Sequence, residues 1–366
     1  MPFITGAIVL DAPASALNNG GSEAGELTNT KTIVKKIRIA AGSEYSGAYV
    51  YVSAQSFRYW LRQTLDELAS EWKTAPVLKW VTSKGEVKTA HTDGNPALWW
   101  DDDLLGYMRV RSSEGQAEIP TGTTKIDEKR DLTRISPFRV GTFVSVTPAV
   151  IKNDFGTMTR QDGNPVIHEH EFYRAHLLGL VSLDLTAAGT FFDGERTGFK
   201  NLDSHRREDA KKAGASEVVV RGQKALRLPL AERVRRVSAL VGALAHLNGG
   251  AKQTIHYTDL TPAIMMLAVT RHGNNPFYRM LTASRTYTTQ FHKDAFTELI
   301  QVYEKDFLSP IYIGWAQGFL DDQRMRLEET IQELGLGSKV TVAHPVHQIE
   351  AFVQQLQVES NGAWFD

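Results

Sequence analysis

Tyr51-Val-Ser-Ala-Gln-Ser-Phe-Arg-Tyr-Trp-Leu-Arg62 opens the clearest helical stretch in the chain. Ser53 carries a side-chain oxygen that can accept from a free N–H at a helix start, so the spacing predicts a helix over 53–69 capped by Ser53. At about 100° per residue, Phe57, Leu61, Leu65 and Leu68 fall on one arc. Gln55, Arg58 and Arg62 fall on an adjoining arc. One helix is thus expected to bury an apolar stripe and present a polar, cationic one. Its first backbone N–H groups have no intrahelical acceptor, and a helix N-terminus attracts anions. Ser53, Gln55 and Ser56 add donors, and Arg58 and Arg62 add charge, which together make the chemistry of a phosphate cradle. An ordinary amphipathic helix with surface arginines has the same periodicity, so the stretch alone does not decide between them.

Working outward, residues 3–10 read as a short apolar strand, followed over 11–30 by a polar loop containing Asn18-Asn19-Gly20-Gly21. Residues 31–40 partly alternate, with Ile33, Ile37 and Ile39 on one face and Lys36 and Arg38 on the other, which predicts a strand with a basic face. Residues 71–135 hold four of the seven tryptophans (Trp72, Trp80, Trp99, Trp100) among Gly, Pro, Thr and Asp, and read as an insertion outside the main core. Residues 138–185 alternate in apolar character around Asp162-Gly163-Asn164-Pro165, the signature of a long hairpin. Residues 190–225 are polar and charged, and read as a loop or mobile element. A second helix is expected over 229–247, with Pro229 in its first turn, a stripe of Leu230, Val234, Val237, Val241 and Leu244, and Asn248-Gly249-Gly250 at its end. Residues 264–269 form an apolar strand, and 287–305 and 316–334 read as further helices. The order strand, helix, strands, helix, strand predicts an α+β domain interrupted by insertions.

Composition narrows the function classes. The chain has 366 residues, 42% hydrophobic and 23% charged, with a net charge of −1 and no cysteine. Disulfides, thiolate metal sites and thiol nucleophiles are therefore excluded. No apolar run reaches the roughly 18 residues of a membrane span. The start, Met-Pro-Phe-Ile-Thr-Gly-Ala-Ile-Val-Leu-Asp11, has no basic leader and reads as a strand rather than a secretory signal. A cytoplasmic protein without membrane association is expected. Near-neutral charge means that any nucleic-acid site is a local patch balanced by acidic surface elsewhere.

Several clusters invite catalytic or metal readings. His168, His170 and His176 share a strand face, but His176 lies roughly 20 Å from His170 along an extended chain, too far for one metal, and a two-histidine site needs a third ligand from elsewhere. Asp101-Asp102-Asp103 could hold magnesium, yet reads more simply as the acidic start of a helix. Ser-His205-Arg-Arg-Glu-Asp209 reads as a solvated face. Asn18-Asn19-Gly20-Gly21 lacks the lysine and spacing of a phosphate-binding loop. The chain has neither a Gly-x-Ser-x-Gly elbow nor a His-Glu-x-x-His helix. No cofactor and no catalytic or metal-ligating residue is expected.

Read together, several segments resemble a known family. Residues 51–62 resemble the Ser-x-Gln-x-hydrophobic-Arg-x-x-x-Arg segment of the backbone subunits of type I CRISPR surveillance complexes (Cascade), the DevR branch of the RAMP proteins. The first strand with Leu17-Asn18-Asn19-Gly20, Asp103-Leu-Leu-Gly-Tyr-Met108, Arg134-Ile-Ser-Pro-Phe-Arg139, His168–Leu185 running into Gly189-Thr-Phe, and Gly249-Gly-Ala-Lys-Gln-Thr254 also look like theirs. The matches spread over residues 3–270 and look most like the type I-B form. The resemblance implies a palm on an RRM-like (ferredoxin-like) fold, with a fingers insertion and a β-hairpin thumb. Carried onto this chain, the palm would be 1–70 and 176–366, with the 190–225 loop inserted in its second part. The fingers would be 71–135, and the thumb hairpin with its flanking strands 136–175.

The resemblance also implies a role. Copies would stack head to tail in an open helical filament, together with other subunits of the CRISPR complex. Each would grip the guide RNA (crRNA) by its backbone and present its bases for pairing with target DNA. The contacts would come from Asn18 and Asn19 in the first loop, from Ser53, Gln55, Ser56, Arg58 and Arg62 at the palm helix, and from the loop Gly249-Gly250-Ala251-Lys252-Gln253. The basic strand adds Lys36 and Arg38, and Met158 near the hairpin tip is a candidate wedge against a displaced base. Two alternatives remain open at this point. One is a metal-dependent RNA-cleaving RAMP subunit using Asp11, the only aspartate in the loop after the first strand. The other is a protein-only scaffold.

Overall fold

The computed structural model describes every residue except 27, 43–45, 82–83, 111–115, 119–130 and 161–165, and the side chains of 116–118. The chain is α+β. One large sheet runs in the spatial order Val340–Ala343, Ile311–Trp315, Ile264–Thr270, Phe3–Ser15, Val166–Asp184, Phe143–Ser145, Gly47–Val52, Lys36–Ile39. The first strand lies near the centre, antiparallel to both neighbours, with Phe3 opposite Asp184 on one side and Thr270 on the other. Because successive side chains point to opposite faces, this one strand feeds two cores. Ile4, Ile8 and Leu10 enter one, and Ala7 and Val9 enter the other.

Helices cover both faces. On the first pack α1 (Ala54–Leu68), α2 (Trp100–Leu105), α4 (Leu230–Ala243) and α7 (Pro345–Leu356), while α3 (Ser204–Lys212) sits with a separate small core; α5 (Lys293–Tyr303) and α6 (Asp321–Glu333) cover the second face. The buried stripe of α1 is Phe57, Trp60, Leu61, Thr64 and Leu65. Leu68, expected in that stripe, is 56% exposed in the final turn, and Trp60 takes the buried position instead. In α4, Leu230 is exposed at the helix start, while Arg233 and Arg236 are buried beside Val237, Leu240 and Val241.

Other sequence expectations change in the tertiary context. The first strand continues to Ser15, so Asp11 lies inside a strand, opposite His176, and not in a loop. The 11–30 stretch includes a further strand, Asn19–Glu23, paired with Lys31–Val34. The expected strand over 31–40 is broken at Lys35. Lys31–Val34 pairs with Glu169 and His170, and Lys36–Ile39 pairs with Gly47–Val52. Its expected faces do not hold: Ile37, Arg38 and Ile39 are all exposed, while Lys36 turns inward to Glu171, with both carboxylate oxygens 2.7 Å from its Nζ. At this sheet edge no core covers the isoleucine side, and the ion pair decides which face turns in.

Residues 71–135 contribute a small sheet of Val87–Thr92, Val77–Val81 and Gln116–Glu118. They do not lie wholly outside the main core, because Trp72 and Trp100 pack into it edge to face at 5.9 Å, with Leu104 and Leu105. The hairpin arms are Val150–Met158 and Val166–Arg174, the second running on to Asp184 at the sheet centre. Its expected turn at Asp162–Pro165 lies outside the described residues. Residues 190–225 are not a loop. They form a sheet of Thr190–Phe192, Gln223–Arg227 and Ser216–Val220, with α3 and a core of Phe191, Leu202, Ala210, Leu226 and Leu228. Their charges are partly internal: Arg206 is fully buried, donating to Asp203 Oδ2 at 2.7 Å and Asp93 Oδ1 at 3.0 Å. Within the expected solvated face at 204–209, Ser204 and Glu208 are exposed and Arg206 alone is buried. The expected helix over 287–305 begins only at Lys293, after the strand Thr289–Phe291, and the one over 316–334 begins at Asp321.

Candidate nucleic-acid interface

Three segments far apart in sequence meet at the N-terminus of α1. Asn18 stands where its carboxamide serves both partners: Oδ1 accepts from Ser53 N–H at 3.1 Å, and Nδ2 donates to Ser56 Oγ at 3.0 Å. Ser53 is the N-cap, and its hydroxyl accepts from Ser56 N–H at 3.3 Å. These three side chains therefore close the helix start on itself. The third segment is the 249–253 loop. Ala251 N–H donates to Leu17 O at 3.0 Å, and Gln253 bonds to Gly249 O, to Thr258 O at 3.3 Å and to Thr258 N–H at 2.9 Å. Gly249 has φ +145°, and a Cβ there would stand 2.6 Å from the Trp60 ring; only glycine lets this loop lie on the helix. Lys252 itself adopts a left-handed φ of +56°.

Facing outward at this junction are Asn19 and Gln55, both exposed, and the half-exposed Lys252, which forms no ion pair among the described residues. Arg58 and Arg62 are placed elsewhere. Arg58 donates to Leu105 O at 3.0 Å and Phe138 O at 2.6 Å. Leu105 ends α2, where carbonyls lack intrahelical donors, so Arg58 supplies one. Burial, and then the Arg62 charge, lower its pKa. Arg62 Nε lies 3.7 Å from Asp101 Oδ2. The cationic stripe read from periodicity is thus a brace between α1, α2 and the strand at Phe138.

Arg38 is exposed and lines a concavity with Lys31, Lys36 and Lys152, which Glu26 and Glu171 also border. Lys152 carried no sequence signal, since its place beside Arg38 depends on the hairpin folding back across the edge strand. Met158 is exposed at the end of its hairpin arm, opposite Val166. Of the histidines, His168 is exposed, while His176 Nδ1 contacts Thr289 Oγ1 at 2.9 Å and its Nε2 lies 3.6 Å from Asp11. His170 instead meets His256 and Asp154. Asp101, Asp102 and Asp103 are all buried. Asp101 Oδ1 accepts from Ala75 N–H at 2.8 Å, Asp102 Oδ2 from Asn95 N–H at 2.9 Å, and Asp103 pairs with Arg134 and Arg236. They stand in the first turn of α2, as expected, and there, buried, serve as an internal anchor.

No family model matches the chain, and no curated protein does. Among solved structures, a chain from a "CRISPR RNA-guided surveillance complex, pre-nicking" superposes with a TM-score of 0.55 over 97% of this chain and 100% of that one, at 10% identity. A chain from a "CRISPR RNA-guided surveillance complex" gives a TM-score of 0.50 over 96% and 99%, at 12% identity. The chain shares their fold. The likeness runs almost end to end, so it takes in the 190–225 unit and the α5–α6 layer as well as the large sheet. Among the described residues no helix is long and apolar enough to cross a membrane.

Proposed function

We propose that this chain is a guide-RNA-binding backbone subunit of a type I CRISPR surveillance complex, of the type I-B form. The observation that carries the proposal is the meeting of residues 17–19, 53–56 and 249–253 at one end of α1. These are three of the segments that resemble the family, and they are brought together only by folding. A helix start flanked by Asn19, Gln55 and Lys252 offers amide donors and one cation, the chemistry of backbone and 2′-OH contacts that ignore sequence. The large sheet with α1 and α4 would be the RRM-like palm, residues 71–135 the fingers, and the hairpin through 150–174 the thumb. Copies stack as a cytoplasmic filament, with other CRISPR subunits at its ends. The thumb of one copy crosses the RNA of its neighbour, with Met158 against a displaced base, and the remaining bases pair with target DNA. The role is binding and not catalysis. Asp11 stands inside a strand near His176 and Arg174, a placement that lends the RNA-cleaving alternative no support.

Charge reversal at Arg58 and Arg62 is a poor test, because both brace the fold. Gln55→Glu with Lys252→Glu changes only the outward side of the junction. With guide RNA, the double variant is expected to lose about tenfold or more in affinity at moderate salt. Its log K against log salt slope should flatten by about 0.7, the value for one cation on a single strand. Unchanged affinity and slope would overturn the interface, and no RNA binding by the parent chain at low salt would overturn the function in favour of a protein-only scaffold.

A further inference from the structure

The thumb hairpin touches the 252–258 loop through three side chains that RNA binding does not use. Asp154 and His170 face each other across the two hairpin arms. His256 comes from the loop, its backbone N–H held by Lys252 O at 2.8 Å. His170 Nε2 and His256 Nε2 lie 2.7 Å apart, and Asp154 Oδ2 lies 3.5 Å from the first and 3.8 Å from the second.

A hydrogen bond between the imidazoles accounts for the shortest of these distances. It does not account for the carboxylate, which is beyond hydrogen-bond range of both rings. Ligand atoms on one tetrahedral ion with bonds near 2.1 Å are spaced about 3.4 Å apart, close to the two longer separations. A triangle with the three measured sides has a circumradius of about 2.0 Å, the length of a zinc–nitrogen or zinc–oxygen bond. One point is therefore at bonding distance from all three atoms, and parting the two ring nitrogens from 2.7 Å to about 3.4 Å would complete the tetrahedral angle.

The surroundings agree. The His170 and His256 side chains are only 6% and 10% exposed, while Asp154 is 49% exposed and leaves an open side. Phe172 stacks on the His256 ring at 5.1 Å and fixes its plane. Two imidazoles and one carboxylate suit a borderline transition ion and not magnesium or calcium, which prefer oxygen.

We propose that Asp154, His170 and His256 form a divalent transition-metal site, zinc by ligand chemistry, with a fourth position open to solvent. The ion ties the thumb hairpin to the loop carrying Lys252, and this holds whether or not the chain binds RNA. The test uses the full chain, stripped with a chelator and dialysed against zinc alone, with bound metal measured by plasma mass spectrometry and folding checked by circular dichroism. The parent is expected to retain one equivalent and to melt higher with zinc. His256→Asn and the half-exposed Asp154→Asn are each expected to weaken zinc binding by about tenfold or more and to lose the melting shift. His168→Asn, on the same hairpin outside the cluster, is expected to bind as the parent does. A parent that keeps no zinc, or folded His256→Asn and Asp154→Asn variants that bind zinc as tightly as the parent, would overturn the site.

Discussion

Replacing Asp103 with asparagine removes the charge that two buried guanidiniums share. Asp103 is fully buried. It takes Arg134 Nη2 at 2.5 Å, Arg236 Nη1 at 2.9 Å and Gly189 N–H at 3.0 Å. Both guanidiniums are only 2% exposed. The two arginines lose unequally. Arg236 keeps Glu232 at 2.9 Å and the carbonyls of Pro96 and Ala97. Among the described residues Arg134 keeps only neutral acceptors, the backbone oxygens of Asp103, Thr190 and Ala187 and the side-chain oxygen of Asn201. Breaking a buried pair by removing one partner costs about 3–5 kcal/mol, and most of that should fall on Arg134. Against a total stability of about 5–15 kcal/mol, the variant should lose about a fifth or more. The assay is urea denaturation followed by tryptophan fluorescence, run as a double-mutant cycle with Arg134→Met and separately with Arg236→Met. Coupling should be larger for Arg134. A loss below about 1 kcal/mol for Asp103→Asn, or equal coupling to both arginines, would refute the reasoning that an uncompensated guanidinium carries the cost.

Gly249→Ala places a methyl 2.6 Å from the Trp60 ring at a φ of +145°, so a loss of about 1–3 kcal/mol is expected in urea melts, and a change within error would mean the loop has another seat on α1. Asp102→Asn tests a pH dependence. Burial, then the neighbouring Asp101 charge, raise the Asp102 carboxyl from its usual 3.8 to about 8. Between those values the folded protein holds a proton that the unfolded chain has released, so stability from this group is full below pH 4 and falls as pH rises toward 8. The slope is at most about 1.4 kcal/mol per pH unit. The asparagine variant should lose that part of the slope in urea midpoints taken at pH 5, 6.5 and 8, and parallel profiles would sink the assignment.

The helices at 54–68 and 230–243, the strand at 264–270 and the hairpin arms were legible because periodicity records which positions face a core. So was the set of segments, 17–19, 53–56 and 249–253, that gathers at the start of α1. What periodicity does not record is the partner of a charge. Lys36, Arg58 and Arg206 all read as surface, because a charged side chain is buried only where an opposite charge or carbonyl meets it. Lys36 meets Glu171 across 135 positions, Arg58 meets Leu105 across 47 and Arg206 meets Asp93 across 113, while Asp203, three positions before Arg206, completes that pairing. The same blindness hid the ordered 190–225 unit, whose polar composition conceals a core sealed by internal ion pairs. It also hid His256 as the companion of His170 across 86 positions. The sequence by itself determined an α+β chain with a helix capped by Ser53. Which of its cations remain outside to meet a ligand, and which are locked within, only the tertiary structure decided, because that depends on long-range pairing that no local pattern encodes.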